Sequence, residues 1–149
     1  MSQETLAEYF ANYQEFLVVA KKFNSTNVGI SKEAGEWSPA YVLHHVADAE
    51  MHFVIRYFNA LTIDKPVVIP FEEELYPSVL NYEEREWANS LAIIESIGKL
   101  VQVSLSPLSS QQWEKVSIHP DAGEVSVSFL MGKARNHMAS HTEQLRNLL

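Results

Sequence analysis

Apolar residues recur at spacings of three and four along four stretches of the chain, the signature of helices that bury one face. From Gln3 to about Phe23, Leu6, Phe10, Tyr13, Leu17 and Ala20 form one stripe, with Glu4, Glu8, Glu15 and Lys22 lying off it. This predicts an amphipathic helix with Ser2 as its N-cap. Tyr9 and Phe16, beside the main stripe, either widen the core face or serve a dimer face. The run Asn24-Ser-Thr-Asn and Gly29 ends the helix and opens a loop to about Trp37.

Ser38-Pro39 predicts a sharp start to a second helix, because serine caps orphan amides and proline at the first helical position loses no useful donor. That helix should run from Pro39 to about Leu61, with Val42, Val46, Ala49, Phe53 and Tyr57 as its apolar stripe. At about 100° per residue His45, Asp48, His52 and Arg56 fall along one flank of the stripe, a polar seam beside the core. Thr62 to Leu80 holds Pro66, Pro70, Pro77 and the acidic Glu72-Glu-Glu. An irregular crossover is expected there, extended around Val67-Val-Ile, and its length lets the next helix start at either end of a bundle.

Asn81 followed three residues later by Glu84 has the form of a capping box. Trp87, Leu91, Ile94, Val101 and Leu105 then carry a third stripe to a stop before Pro107. Gly98 stands within it; at about 1 kcal/mol of helix propensity lost against alanine, it points to close packing of another helix or of a ligand. A short helical turn from Ser109 to Trp113 and an extended or hairpin piece through Val116, Ile118 and Asp121-Ala-Gly123 lead to Ser126, the cap of a fourth helix running almost to Leu149. The expected fold class is all-α: a single domain over residues 1–149, folded as a four-helix bundle with two long connections.

The fourth stripe changes the chemistry. Leu130, Ala134, His137, His141, Leu145 and Leu148 advance by four, three, four, four and three residues, so two histidines occupy positions that should face the core. Imidazoles at i and i+4 are neighbours on a helix and can bind one metal ion, given a further ligand from elsewhere. Spacing alone favours a hydrogen-bonded polar pair over ligation. His45 shifts that balance: it lies about 9 Å into its helix and His141 about 12 Å from the chain end, at about 1.5 Å per residue, so antiparallel packing puts them at one level. His52 sits about 10 Å deeper, and His44 points about 100° away from His45, which ranks it last. Three neutral imidazoles leave a position open to water or a substrate atom, an arrangement that belongs to catalytic metal sites. Asp48, Glu50 and Gln144 are candidates to fix imidazole tautomers, and of these Asp48 and Gln144 lie near the ligand faces. His52 and His119 read as structural or solvent-facing, with His119 able to reach a pocket mouth. Trp37, Trp87 and Trp113 read as core or lid packing and Glu72-Glu-Glu as a solvated charge run.

Composition narrows the options. Without cysteine the chain has no disulfide, thiolate ligand or cysteine nucleophile, which suits a reducing cytoplasm. The amino-terminal Met1-Ser-Gln-Glu-Thr lacks a basic region followed by an apolar run, and no stretch approaches the roughly 18 apolar residues of a membrane span, so an untargeted cytoplasmic protein is expected. Eleven basic against nineteen acidic residues give a net charge of −8, which disfavours nucleic acid and anionic membrane as partners. Glycine-rich phosphate loops, a Gly-x-Ser-x-Gly elbow and Glu-x-x-His di-iron pairs are all missing from the sequence.

Trp37-Ser-Pro-Ala-Tyr-Val-Leu-His-His-Val-Ala-Asp-Ala-Glu50 resembles the first signature of the DinB/YfiT-like superfamily. Trp113, His119-Pro-Asp-Ala-Gly123 and Ala134-Arg-Asn-His-Met-Ala-Ser-His-Thr-Glu-Gln144-Leu are similar to its closing segment. The resemblance implies a down-up-up-down bundle and a three-histidine metal site, carried over as His45, His137 and His141, with zinc or nickel as the expected ion. It further implies a metal-dependent S-transferase that activates a low-molecular-weight thiol such as bacillithiol, mycothiol or glutathione for attack on a small electrophile. A homodimer is also expected. The alternative is a non-catalytic metal-binding stress or scaffold protein of the same fold.

Overall fold

A computed structural model describes residues 2–149 of the chain. Four long helices dominate it: α1 (Ser2–Ala20), α2 (Pro39–Thr62), α3 (Trp87–Leu105) and α4 (Val127–Leu148). Each buries the stripe that the sequence predicts, and together they form a four-helix bundle. Phe23 lies past the end of α1, in turns that still carry its ring into the core. Ser38 and Ser126 cap α2 and α4 as expected, their side chains accepting from the amides of Tyr41 and Phe129. Tyr9 and Phe16 are fully buried, which makes them part of a wide core stripe and removes them as a dimer face.

Side-chain contacts set the directions of the helices. Ser2 meets Ser128, Asn12 donates to the Arg135 carbonyl and Arg146 pairs with Glu15, so α1 and α4 run parallel. Gln3 reaches the Ser106 carbonyl while Tyr13 and Lys21 reach Glu95, so α1 and α3 are antiparallel. His45 lies level with His141 and Phe53 with His137, which makes α2 antiparallel to α4. Helices α2 and α3 are therefore parallel, and the topology is down-up-up-down.

Parallel neighbours need a connection that returns along the bundle, and residues 63–86 supply it. Its first part pairs with the hairpin of β1 (Val116–His119) and β2 (Gly123–Ser126): Val68 donates to the Ile118 carbonyl and Ile118 to that of Pro66. The hairpin tip is held by His119, whose Nδ1 accepts from the amides of Asp121 and Ala122 at 3.2 Å each, so this histidine closes a turn instead of reaching a pocket.

The capping box expected at Asn81 and Glu84 does not form. Asn81 sits in the left-handed region (φ 54°), a short 3-10 turn occupies Tyr82–Glu84, and α3 begins at Trp87. The reason is tertiary: the Tyr82 hydroxyl and the Arg85 guanidinium are both drawn onto Asp48 of α2, at 2.6 to 3.0 Å. That charge-assisted, bidentate contact outweighs a local capping interaction. Gly98 meets the expectation of close packing. A Cβ there would lie 2.2 Å from the Tyr13 ring, so α1 and α3 approach one another through a gap that only glycine leaves.

Candidate metal centre

Helix α4 projects His137 and His141 from adjacent turns of its buried face, and α2 brings His45 to meet them. Nε2 of His137 lies 3.0 Å from Nε2 of His45 and 3.1 Å from Nε2 of His141. One ligand atom from each of the three falls within 4.8 Å of the other two. No other three histidines or carboxylates among the described residues are so gathered.

Burial decides the charge of these rings. It pushes His45 down to about 4, with repulsion from His141 adding to the shift. It pushes His137 to about 3, assisted by His141 and His45. His141 is lowered by burial too, against the opposing pull of Gln144 and Glu73. All three are thus neutral at pH 7, the form that offers a lone pair. Gln144 Oε1 lies 2.7 Å from Nδ1 of His141. With that oxygen as acceptor, Nδ1 carries the hydrogen and Nε2 turns its lone pair inward. Nδ1 of His45 and of His137 is buried without a hydrogen-bond partner. Neutral imidazoles facing one another through Nε2 cannot all be donors and acceptors for one another, so the cluster has an unmet demand for a shared cation.

The other candidates go elsewhere. Both Asp48 oxygens accept from Tyr82 and Arg85, so Asp48 fastens the crossover to α2 and fixes no imidazole tautomer. Glu50 points to the α1 side and takes a 2.5 Å hydrogen bond from Tyr9. His44 is buried against α3, its Nδ1 at 2.8 Å from the Ser90 hydroxyl. His52 pairs with the Tyr76 hydroxyl at 2.6 Å and stacks on Phe71. Trp113 is core, while Trp37 packs its ring 5.1 Å from that of His45.

Sequence reasoning missed what the crossover contributes. Phe71 lies stacked between His45 and His52, and Glu73, exposed as the solvated reading of Glu72-Glu-Glu expects, also holds Oε2 3.7 Å from Nε2 of His45. Nothing in the local pattern marks either one, because an irregular segment has no periodicity to say which side chains turn inward. On another side, a cleft of about 660 Å³ lined by Lys32, Glu36, Trp37, His141, Gln144 and Leu148 gives access to the cluster.

Residues 6–145 match the sequence profile of the DinB superfamily. The chain belongs to the DinB superfamily. A solved structure it resembles is that of YfiT from Bacillus subtilis, a protein described as having an unusual four-helix bundle topology. The two superpose with a TM-score of 0.82 at 19% identity, covering 98% of this chain and 86% of YfiT. In sequence, YfiT is 26% identical over 119 residues, 76% of this chain and 67% of YfiT. A relative from Oceanobacillus iheyensis is 29% identical over 125 residues, 84% of this chain and 72% of its own. One from Bacillus cereus is 28% identical over 134 residues, 90% of this chain and 77% of its own. All three relatives carry the name "Putative metal-dependent hydrolase". Among the described residues of this DinB-superfamily protein, no helix is long and apolar enough to cross a membrane.

Proposed function

We propose that His45, His137 and His141 hold one divalent metal ion, zinc or nickel, and that the protein is a metal-dependent transferase joining a low-molecular-weight thiol to a small electrophile. The observation that carries this reading is the convergence of three uncharged Nε2 atoms at 3.0 and 3.1 Å beside a cleft. Such separations match donors on one ion, because metal–nitrogen bonds of about 2.0–2.1 Å set neighbouring ligands about 2.9 Å apart in an octahedral shell and about 3.3 Å apart in a tetrahedral one. When bound, the ion supplies a Lewis acid that favours the thiolate form of a thiol, or the hydroxide form of water, at neutral pH.

The chain's own groups then position the reactants. Gln144 keeps His141 in the ligating tautomer, the imidazoles stay neutral through burial, and Trp37 gives a molecule in the cleft an apolar wall. Lys32 and Glu36 at the same cleft provide one charge of each sign, which suits a zwitterionic thiol of the peptide or sugar-conjugate type.

The names of the relatives favour a second reading in which water is the nucleophile and the reaction a hydrolysis. One assay separates the two. Metal-loaded protein is incubated with a generic electrophile, such as an activated aryl halide, and with a generic ester, with and without each thiol. Thiol-dependent loss of the aryl halide that disappears in His45→Ala and His141→Ala supports the transferase. Thiol-independent ester cleavage lost in the same variants supports the hydrolase. Wild type and variants equally inert in both would leave the non-catalytic metal-binding protein as the better account.

A further inference from the structure

The crossover between α2 and α3 brings a carboxylate to the imidazole cluster and is pinned on both sides of it. Two residues before Glu73, Phe71 stacks on His45 with ring centroids 5.8 Å apart and planes 18° from parallel, and on His52 at 4.5 Å. Three residues after Glu73, Tyr76 packs edge-on against Phe71 and meets His52 through its hydroxyl at 2.6 Å. Between these anchors, the 3-10 turn Glu73–Leu75 presents Glu73, with Oε2 3.7 Å from Nε2 of His45.

We infer that Glu73 is a fourth protein donor to the metal ion of the three imidazoles, and that metal binding thereby locks the crossover onto the bundle. The inference rests on the metal-binding reading above and adds to it a ligand and a mechanical consequence. Metal–nitrogen and metal–oxygen bonds of about 2.0–2.2 Å put neighbouring donors of a tetrahedral shell about 3.3 Å apart, so the observed separation from His45 lies within roughly half an ångström of a ligand pair. The carboxylate is a donor suited to the same borderline ions as imidazole. Its carboxylate approaches the cluster on the His45 side and stands outside the set of donor atoms that lie within 4.8 Å of one another, so ligation requires it to swing inward from its exposed position. Glu73 is more than half exposed, and its single ion-pair partner among the described residues is His45, so no stronger contact competes for it. The cleft lined by His141 and Trp37 lies apart from the crossover, so a fifth position remains reachable by a substrate.

The test uses the full chain stripped of metal and titrated with cobalt(II) as the probe, wild type beside Glu73→Gln and Glu74→Gln. Affinity is read by chelator competition, coordination by the visible cobalt bands, and the crossover by amide hydrogen exchange over residues 69–80. Glu73→Gln should lower affinity by at least the tenfold to hundredfold typical of losing even an outer-sphere partner. It should also change the band pattern and abolish the slowing of exchange that metal produces in wild type. Glu74→Gln should match wild type in all three. The inference is overturned if Glu73→Gln binds cobalt with wild-type affinity and spectrum. A wild type that takes up no cobalt defeats the metal reading itself, a result distinguishable from the first by the wild-type titration alone.

Discussion

Single residues set how this protein responds to pH, and two kinds of buried group pull in opposite directions. Burial depresses His44 and His45 to about 4 and His137 to about 3 from the ordinary 6.5. In the metal-free chain the unfolded state therefore takes up protons below pH 6.5 that the folded state refuses until about 4 or below, so these residues cost nothing by titration at neutral pH and destabilise the fold as pH falls through this window. Glu50 behaves conversely. Burial raises its carboxyl from 4.5 to about 7, against the Tyr9 hydrogen bond. Between those values the unfolded state releases a proton that the folded state keeps, so Glu50 costs stability as pH rises, up to about 3 kcal/mol. Glu50→Gln should gain stability over wild type progressively from pH 4.5 to 7, as read by urea midpoints across that range; a constant difference would show that Glu50 does not titrate as its burial dictates. Legibility at this scale follows the same division between local and distant causes. His137, His141 and Gln144 were readable because helical spacing fixes which side chains meet within one element. Asp48 was misread because its partners, Tyr82 and Arg85, arrive from a loop that no periodicity describes. Glu73 escaped for the same reason.

Among the elements, the contact of α1 with α3 is the most sharply constrained. Replacing Gly98 by alanine would gain about 1 kcal/mol of helix propensity in isolation. The new methyl, however, would fall 2.2 Å from the Tyr13 ring, which is buried and hydrogen-bonded to the Glu95 carbonyl. Overpacking of this kind typically costs about 1–3 kcal/mol. Gly98→Ala should therefore lower stability, and adding Tyr13→Leu should recover part of the loss, with coupling between the two sites in a double-mutant cycle. Gly98→Ala at or above wild-type stability would mean that the helices slide apart without penalty. The glycine was conspicuous in the sequence because it broke an apolar stripe; what filled the space was not, since Tyr13 lies on another helix. The start of α3 shows the limit from the other direction. Asn81 and Glu84 carry the right residues at the right spacing for a cap, yet Tyr82 and Arg85 between and beyond them answer to Asp48, and the helix waits until Trp87.

Over the whole molecule, the metal reading makes a prediction that needs no substrate. An ion that binds only the folded state stabilises it by about 2.7 kcal/mol at 100 times its dissociation constant, or about 5–10 °C in melting temperature for a chain of this size. Zinc or nickel should produce that rise in wild type and none in the variant carrying both His137→Ala and His141→Ala. No rise in wild type would argue that the cluster is vacant by design. The four helices, their order and the level of His45 against His141 were readable from pattern and rise per residue, whereas the path of the crossover was not, because its contacts are all tertiary. The pairing of α1 with α4 carries one more consequence, for synthesis. Their hydroxyl contact, Ser2 with Ser128, closes 126 residues of chain, at an entropic cost of about 4 kcal/mol. Helix α1 leaves the ribosome before α4 and has to wait for it. Until α4 emerges, the side of α1 that α4 covers lies exposed, and a stalled chain displays there the surface that a chaperone binds or a neighbouring nascent chain sticks to.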